Sequence, residues 1–243
     1  MRVRFLLNVL DQALERYELF RQATEAARSK SLLCASPVQC LKVFDQSIES
    51  AKRAFLDSLA MDIERGASTI AHDLERELGA SQSGASAQLS EQSALSRIQT
   101  DHATALSKKV FSVIQRDVGQ MRSNLTVDMA RAVRRSRGSN VPFSFAVQEV
   151  IATDPTSMIT DSAGRRVGAE RQLRLTFQEA WIDLWNLSMF YALMGRGEEL
   201  AQVSRPGHED HGLVIDIETY PALERRIFHP NSWAFMVPID ALL

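Results

Sequence analysis

Three of the chain's five histidines fall near its C-terminal end. His208 and His211 lie in Arg205-Pro206-Gly207-His208-Glu209-Asp210-His211-Gly212, and His229 lies in Phe228-His229-Pro230-Asn231-Ser232. A His-x2-His pair with a distant third histidine is a ligand set for zinc, with Glu209, Asp210 or water as the fourth ligand. Such a centre would support metal-dependent hydrolase or nuclease chemistry. The competing reading is that these histidines fix loop conformation by hydrogen bonding to the backbone, and no fourth ligand is obvious. A second group with chemical potential is Arg131, Arg134, Arg135 and Arg137, just before Gly138. Guanidiniums at that spacing can neutralise phosphates of double-stranded DNA or meet a charged protein. They can equally complement the negative end of a helix dipole. No aromatic residue interleaves with them, so a base-stacking surface is not expected. The paired carboxylates Glu198-Glu199 and Glu209-Asp210 sit beside loops and read as solvated faces more readily than as an acid/base pair. Cys34 and Cys40 form one Cys-x5-Cys loop, which fits neither a disulfide framework nor a common zinc knuckle, and both are expected to be reduced thiols. The sequence has no Gly-rich phosphate loop, Gly-x-Ser-x-Gly elbow or His-Glu-x-x-His helix. Catalysis is therefore not the expected role.

The elements that must carry these groups are mostly helices. The chain has 243 residues, 45% hydrophobic and 24% charged, with only 11 Gly and 7 Pro and a net charge of −2. That length makes one large domain or two small ones, and so few breakers argue for long helices over a sandwich or barrel. Near-neutrality disfavours a basic nucleic-acid coat or an acidic tail protein. No stretch approaches the length of apolar sequence that crosses a membrane. The N-terminal apolar patch Phe5–Leu10 is too short for a signal-peptide core, so synthesis in the cytosol is expected.

Residues 3–28 have helical spacing, with Phe5, Val9, Leu10, Leu14, Tyr17 and Phe20 three or four apart. Ser36-Pro37 reads as cap and first turn of a second helix that carries Val38, Leu41, Phe44, Ile48 and Phe55 and continues toward Leu78, with Gly66 as a candidate break. Gly79 to Ala87 is small and polar and reads as a linker. Weaker helical spacing resumes from Leu89 to Arg137. Over 101–137, eight basic residues stand against three acidic ones, a balance of +5. Val141–Val147 could be a strand or a helix entry, Thr153-Asp154-Pro155 is turn chemistry, and Gly164 marks a turn before an extended segment. Residues 169–194 form the clearest helix, with Leu173, Phe177, Ala180, Leu184, Leu187 and Tyr191 on one face, Trp181, Trp185 and Phe190 widening it, and Gly195 and Gly197 ending it. Beyond it, Leu213–Ile217 and Ala234–Ile239 read as short strands, and charge turns to −5, with eight acidic residues against three arginines from Glu198 onward. The fold expected is mainly α with a small α+β C-terminal module: extended N-terminal helices and short antiparallel strands near the C-terminus. The division expected is 1–78 helical, 79–88 linker, 89–137 basic helical and 138–243 C-terminal module.

Gly212-Leu213-Val214-Ile215, a loop, and then Phe228-His229-Pro230-Asn231-Ser232-Trp233-Ala234-Phe235-Met236-Val237-Pro238 resembles the C-terminal signature of phage head-morphogenesis proteins of the Mu F type and related minor capsid proteins. In that pattern a Cys-x2-Cys or Glu-His element precedes a Gly-x-Val strand, and a His-Pro-Asn turn precedes a last strand ending in Val-Pro. The chain keeps Gly212, Val214-Ile215, His229, Pro230, Asn231 and Val237-Pro238. It departs where the family often has cysteines, with His208 and His211 in the first pair and Ser232 and Ala234 in the second. Upstream, Asp161-x-x-Gly164-Arg165 is similar to a turn in those proteins, and Asn186 falls where their helix often carries an asparagine. The resemblance covers about residues 158–240.

It implies a virion structural protein: a minor head component bound to the portal or the major capsid protein and acting in head morphogenesis, DNA packaging or ejection. It would sit in the head interior or portal region, and in the host cytoplasm during assembly. It would not be an enzyme, would need no cofactor and no membrane, and could contact double-stranded DNA or a second copy of itself. Some relatives carry fused toxin domains; none is expected after Pro238. In this setting Pro230 and Asn231 would set a tight turn and His229 would bridge two strands. The alternatives are a zinc-dependent hydrolase or nuclease built on His208, His211 and His229, and a DNA-binding assembly factor built on the four arginines.

Overall fold

The computed structural model describes residues 2–79, 85–150, 158–160, 164–224, 226–228 and 232–239, with side chains described over 8–78 and from 96 onward within those ranges. Of the described residues 76% are helical, in six helices, with two small antiparallel sheets, so the expected mainly α fold with an α+β C-terminal module is what the chain forms. The order is α1 (Arg2–Ser31), α2 (Pro37–Gly79), α3 (Ala85–Ser139), α4 (Phe143–Val150), β1 (Met158–Thr160), β2 (Arg166–Gly168), α5 (Ala169–Gly195), β3 (Leu200–Ser204), β4 (Val214–Asp216), a 3-10 turn (Ile217–Thr219), α6 (Tyr220–Leu223) and β5 (Phe235–Val237). Two compact units divide these elements, one holding 1–10, 61–108 and 174–243, the other 11–60 and 109–173.

Helix boundaries follow local chemistry. The Ser36 hydroxyl accepts from the Gln39 N–H at 3.3 Å, and Pro37 occupies the first helical position of α2, where no N–H is missed. At the far end of α3, Asn140 takes the left-handed conformation (φ 53°), and the Val141 N–H reaches back to the Ser136 carbonyl at 3.3 Å. α5 ends the same way: Gly197 has φ 72°, its N–H donates to the Met194 carbonyl at 3.0 Å, and the Glu198 N–H donates to the Leu193 carbonyl at 3.0 Å. The stretch read as either strand or helix entry, 141–147, supplies α4. α3 begins at Ala85 and so takes in the last residues of the sequence-read linker.

In the unit holding 11–60 and 109–173, α1, α2 and α3 pack around two clusters. Tyr17, Phe20 and Phe55 form one, with ring centroids 5.3–6.3 Å apart. The other gathers Ala27, Cys40, Phe44, Ile48, Leu125 and Met129, closed by Ala146 and Val147 of α4. Val38, placed on the stripe by spacing, is instead 78% exposed, and the buried face of α2 begins at Cys40. Arg122 bridges to both carboxylate oxygens of Asp45 at 2.8 and 3.1 Å, but this pair is half exposed. Exposed pairs of this kind are screened by solvent and add little to stability. A single fully buried large apolar side chain contributes about 1.5–3 kcal/mol. Packing therefore dominates here. β1 and β2 pair with Ile159 opposite Val167, and Gly164 (φ 77°) lies in their connection.

In the other unit, α5 packs on α2. Gly66, read from sequence as a break, lies inside a continuous α2: a Cβ there would stand 2.6 Å from Cη2 and 2.8 Å from Cζ2 of Trp181. The glycine admits the indole rather than ending the helix. Arg196, just past α5, donates from Nη1 to the Leu78 carbonyl at 2.5 Å, placing a cation at the negative end of α2. The C-terminal sheet has order β4-β3-β5, all antiparallel, with Ala201 opposite Ile215 and Val203 opposite Met236.

Candidate functional site

The C-terminal module is built outward from β3, whose buried residues Ala201, Val203 and Ser204 carry little apolar bulk. β4 and β5 flank it, and every residue of β5 is buried. A buried strand at a sheet margin would leave backbone groups unpaired, which is costly. Two α5 side chains meet that need. Asn186, fully buried, donates from Nδ2 to the Ala234 carbonyl at 3.0 Å and accepts at Oδ1 from the Met236 N–H at 2.7 Å. Trp185 donates from Nε1 to the Met236 carbonyl at 2.9 Å, and its ring meets Phe235 edge-on at 6.1 Å. One helix turn thus acts as a fourth strand for β5.

The loop between β3 and β4 carries the sequence-predicted ligands. Gly212 sits at φ 83°, a conformation that glycine adopts without strain. Its N–H donates to the Val203 carbonyl at 2.8 Å, its carbonyl accepts from Gln202 Nε2 at 3.1 Å, and the Val203 N–H donates to the Leu213 carbonyl at 2.8 Å. The organiser of the loop is Arg205, which sequence reasoning passed over. Its side chain, 16% exposed, donates from Nε to the Ser232 carbonyl at 2.8 Å and from Nη1 to Asp210 Oδ2 at 2.9 Å. The same Nη1 lies 3.0 Å from His208 Nδ1. His211 accepts at Nδ1 from the Arg205 N–H at 3.2 Å, which leaves the proton of the neutral ring on Nε2.

These contacts bear on the proposed zinc set. His208, Glu209 and Asp210 offer ligand atoms within 4.8 Å of one another, but His211 is not in that group. His208 Nδ1 and Asp210 Oδ2 are also 3.0 Å from each other, and Arg205 Nη1 contacts both, so a divalent cation bound by these two atoms would have to displace a fixed positive charge. Among the described residues, His208 and Asp210 are thus held in a loop centred on Arg205. His229, Pro230 and Asn231 lie outside the described residues, as do Asp161 and Thr153-Asp154-Pro155. Arg205, His208, Asp210, Leu213, Leu223 and Arg226 line a cleft of about 510 Å³. Glu198 and Glu199 are both exposed, as are Glu209 and His208.

The four arginines of α3 lie on an accessible helix end, and two of them are engaged. Arg131 is 3.5 Å from Asp128, and Arg135 pairs with Glu149 of α4. Arg134 and Arg137 are exposed. Asp128 also receives Arg28 Nη2 at 3.4 Å.

A buried acid elsewhere was also missed. Tyr17 donates to Asp117 Oδ2 at 2.8 Å, and both residues are essentially inaccessible. Burial pushes the Asp117 carboxyl up to about 6, against the opposing effects of the Tyr17 hydrogen bond and the Arg21 charge. Burial also raises the Tyr17 hydroxyl, with the Asp117 carboxylate adding to it. The sequence signal was an aspartate on the apolar stripe of α3, three residues after Ile114 and four after Val113.

Comparison with protein-family models, with curated proteins and with solved structures finds no match to this chain.

Proposed function

We propose that this chain is a minor structural protein of a bacteriophage head, bound to the portal or major capsid protein and working in head assembly, packaging or ejection. The observation that carries this reading is the use to which the resembling residues are put. Asn186 satisfies the edge of β5, Gly212 turns the chain back onto β3, Val214 and Ile215 form β4, and Val237 ends β5. Each has an architectural job in one module, as expected where a sequence signature marks a docking fold rather than reaction chemistry. In the loop between β3 and β4, His208, Asp210 and His211 are tied to Arg205. Long helices with mixed, exposed charges suit packing onto other subunits. The test is the protein inventory of gradient-purified particles from the host that carries the gene: the chain co-purifies with heads or portal in few copies, and its absence from them would reject the role.

A second reading, contact with packaged DNA, is favoured by the exposure of Arg134 and Arg137. It requires an affinity that falls steeply with salt, because each neutralised phosphate releases counterions. No binding at low salt, or a flat salt dependence, would reject it.

A further inference from the structure

We propose that Cys34 and Cys40 form a reversible intrachain disulfide, a covalent staple across the start of α2 that is open in reducing surroundings and closed in oxidising ones. Cys34 lies half-buried in the turn between α1 and α2, and Cys40, fully buried, is the fourth residue of α2. The Cys40 Sγ lies 4.0 Å from the Cys34 carbonyl oxygen, so the buried thiol faces the residue that carries the other sulfur. Both ends of the turn are held: the Cys34 N–H donates to the Ser31 carbonyl at 3.3 Å, and the Cys40 N–H donates to the Ser36 carbonyl at 3.0 Å. Cys40 belongs to the buried cluster with Ala27, Phe44, Ile48 and Met129, and Cys34 packs against that cluster. Closure brings the two sulfurs to the ~2.05 Å of a disulfide by side-chain rotation across this short turn.

Helices commonly pin the entering chain by an apolar contact from the residue before the cap to the fourth helical residue. With Ser36 as cap, Cys34 and Cys40 stand one residue off that pairing, and a bond between them makes the pin covalent. The two thiols also differ in access, as a redox pair requires: Cys34 can meet an external reagent, whereas Cys40 is shielded and burial holds its thiol above the ordinary range.

The oxidant is a low-molecular-weight disulfide such as oxidised glutathione. Cys34, as thiolate, attacks one of its sulfurs and expels one glutathione thiolate, which takes up the proton Cys34 gave up. Cys40 then loses its proton and attacks the Cys34 sulfur of the mixed disulfide, and the second glutathione leaves and is protonated. Two protein thiols are oxidised and one glutathione disulfide is reduced to two thiols. The setting rests on the virion role. Assembly in a reducing cytoplasm would keep the pair open, and release of particles into oxidising surroundings would close it.

The test uses the full-length protein, equilibrated with graded ratios of reduced to oxidised glutathione, quenched with acid, alkylated and weighed intact. The expected result is a direct passage from a doubly alkylated species to an unalkylated monomer two hydrogens lighter, with a peptide map joining 34 to 40. The oxidised form should melt about 5 °C higher than the reduced one. Cys34→Ser should leave Cys40 as an unreacted thiol. Glutathione retained on Cys34, disulfide-linked dimers, two alkylatable thiols at the most oxidising ratio, or a lower melting point on oxidation would each overturn the staple. Those results would leave the virion role standing. Absence of the chain from particles would remove that role without touching the chemistry of the pair.

Discussion

Asn186 commits both ends of its amide to β5, and what its loss would do follows from the groups it leaves behind. Asn186→Leu keeps the branching and the number of heavy atoms but strands the Met236 N–H and Ala234 carbonyl in a buried site. Each orphaned group costs about 1–3 kcal/mol, so urea unfolding should show a loss of about 2–5 kcal/mol. A change below about 0.5 kcal/mol would mean that the clamp contributes nothing to stability. At Asp117 the same burial acts through pH. Its folded pKa of about 6 lies above the unfolded value of 3.8, so the folded state binds the proton more tightly. The resulting stability is fully present below about pH 4 and is lost as pH rises through 6, at up to about 1.4 kcal/mol per pH unit. Asp117→Asn keeps a group that can accept from Tyr17 and removes the titration. The stability of the wild type relative to this variant should therefore decline from pH 4 to pH 7 in urea melts, and parallel profiles would show that the acid does not titrate there.

Elements carry the next set of consequences, and Gly66 gives one whose sign is contested. Helix propensity alone makes Gly66→Ala stabilising by about 1 kcal/mol. The Trp181 ring atoms at 2.6 and 2.8 Å from the new methyl argue for overpacking that costs about 1–3 kcal/mol. Thermal melts should therefore show net destabilisation, and a raised Tm would mean that the indole moves aside freely. The same glycine shows what sequence can and cannot carry. Its low helix propensity is local and visible, but its partner lies far along the chain, so it reads as a break when it is a packing site. α5 was legible because its apolar residues repeat at three and four, and β4 and β5 because β-branched and aromatic residues cluster there. β3 was missed, although it is the central strand. Its buried residues Ala201, Val203 and Ser204 carry little apolar bulk, and its Leu200 is 46% exposed, so the run has little hydrophobic contrast. Arg205 was hidden for another reason: its partner Ser232 is 27 residues away, and nothing in a Pro-Gly loop marks the arginine before it as a half-buried anchor.

Over the whole molecule, a net charge of −2 conceals a basic stretch of +5 in 101–137 and an acidic one of −5 from Glu198 onward. In the basic stretch, intramolecular pairing occupies Arg131 and Arg135 and leaves Arg134 and Arg137 as the groups for phosphate contact. If the chain meets DNA there, joint Arg134→Glu and Arg137→Glu should weaken binding without regard to sequence and reduce the slope of log K against log salt by about 2, at about 0.9 per lost contact. An unchanged slope in a fluorescence-anisotropy salt series would place the contact elsewhere. The C-terminal module gives the larger claim, because the residues that carry the resemblance and are described serve to fold it. Quantitative mass spectrometry of gradient-purified particles, with the cell lysate as reference, tests that claim most directly. The virion role predicts peptides from both units of the chain in the head fraction, at a small and constant ratio to the major capsid protein. A chain abundant in the lysate yet missing from the particles would contradict it.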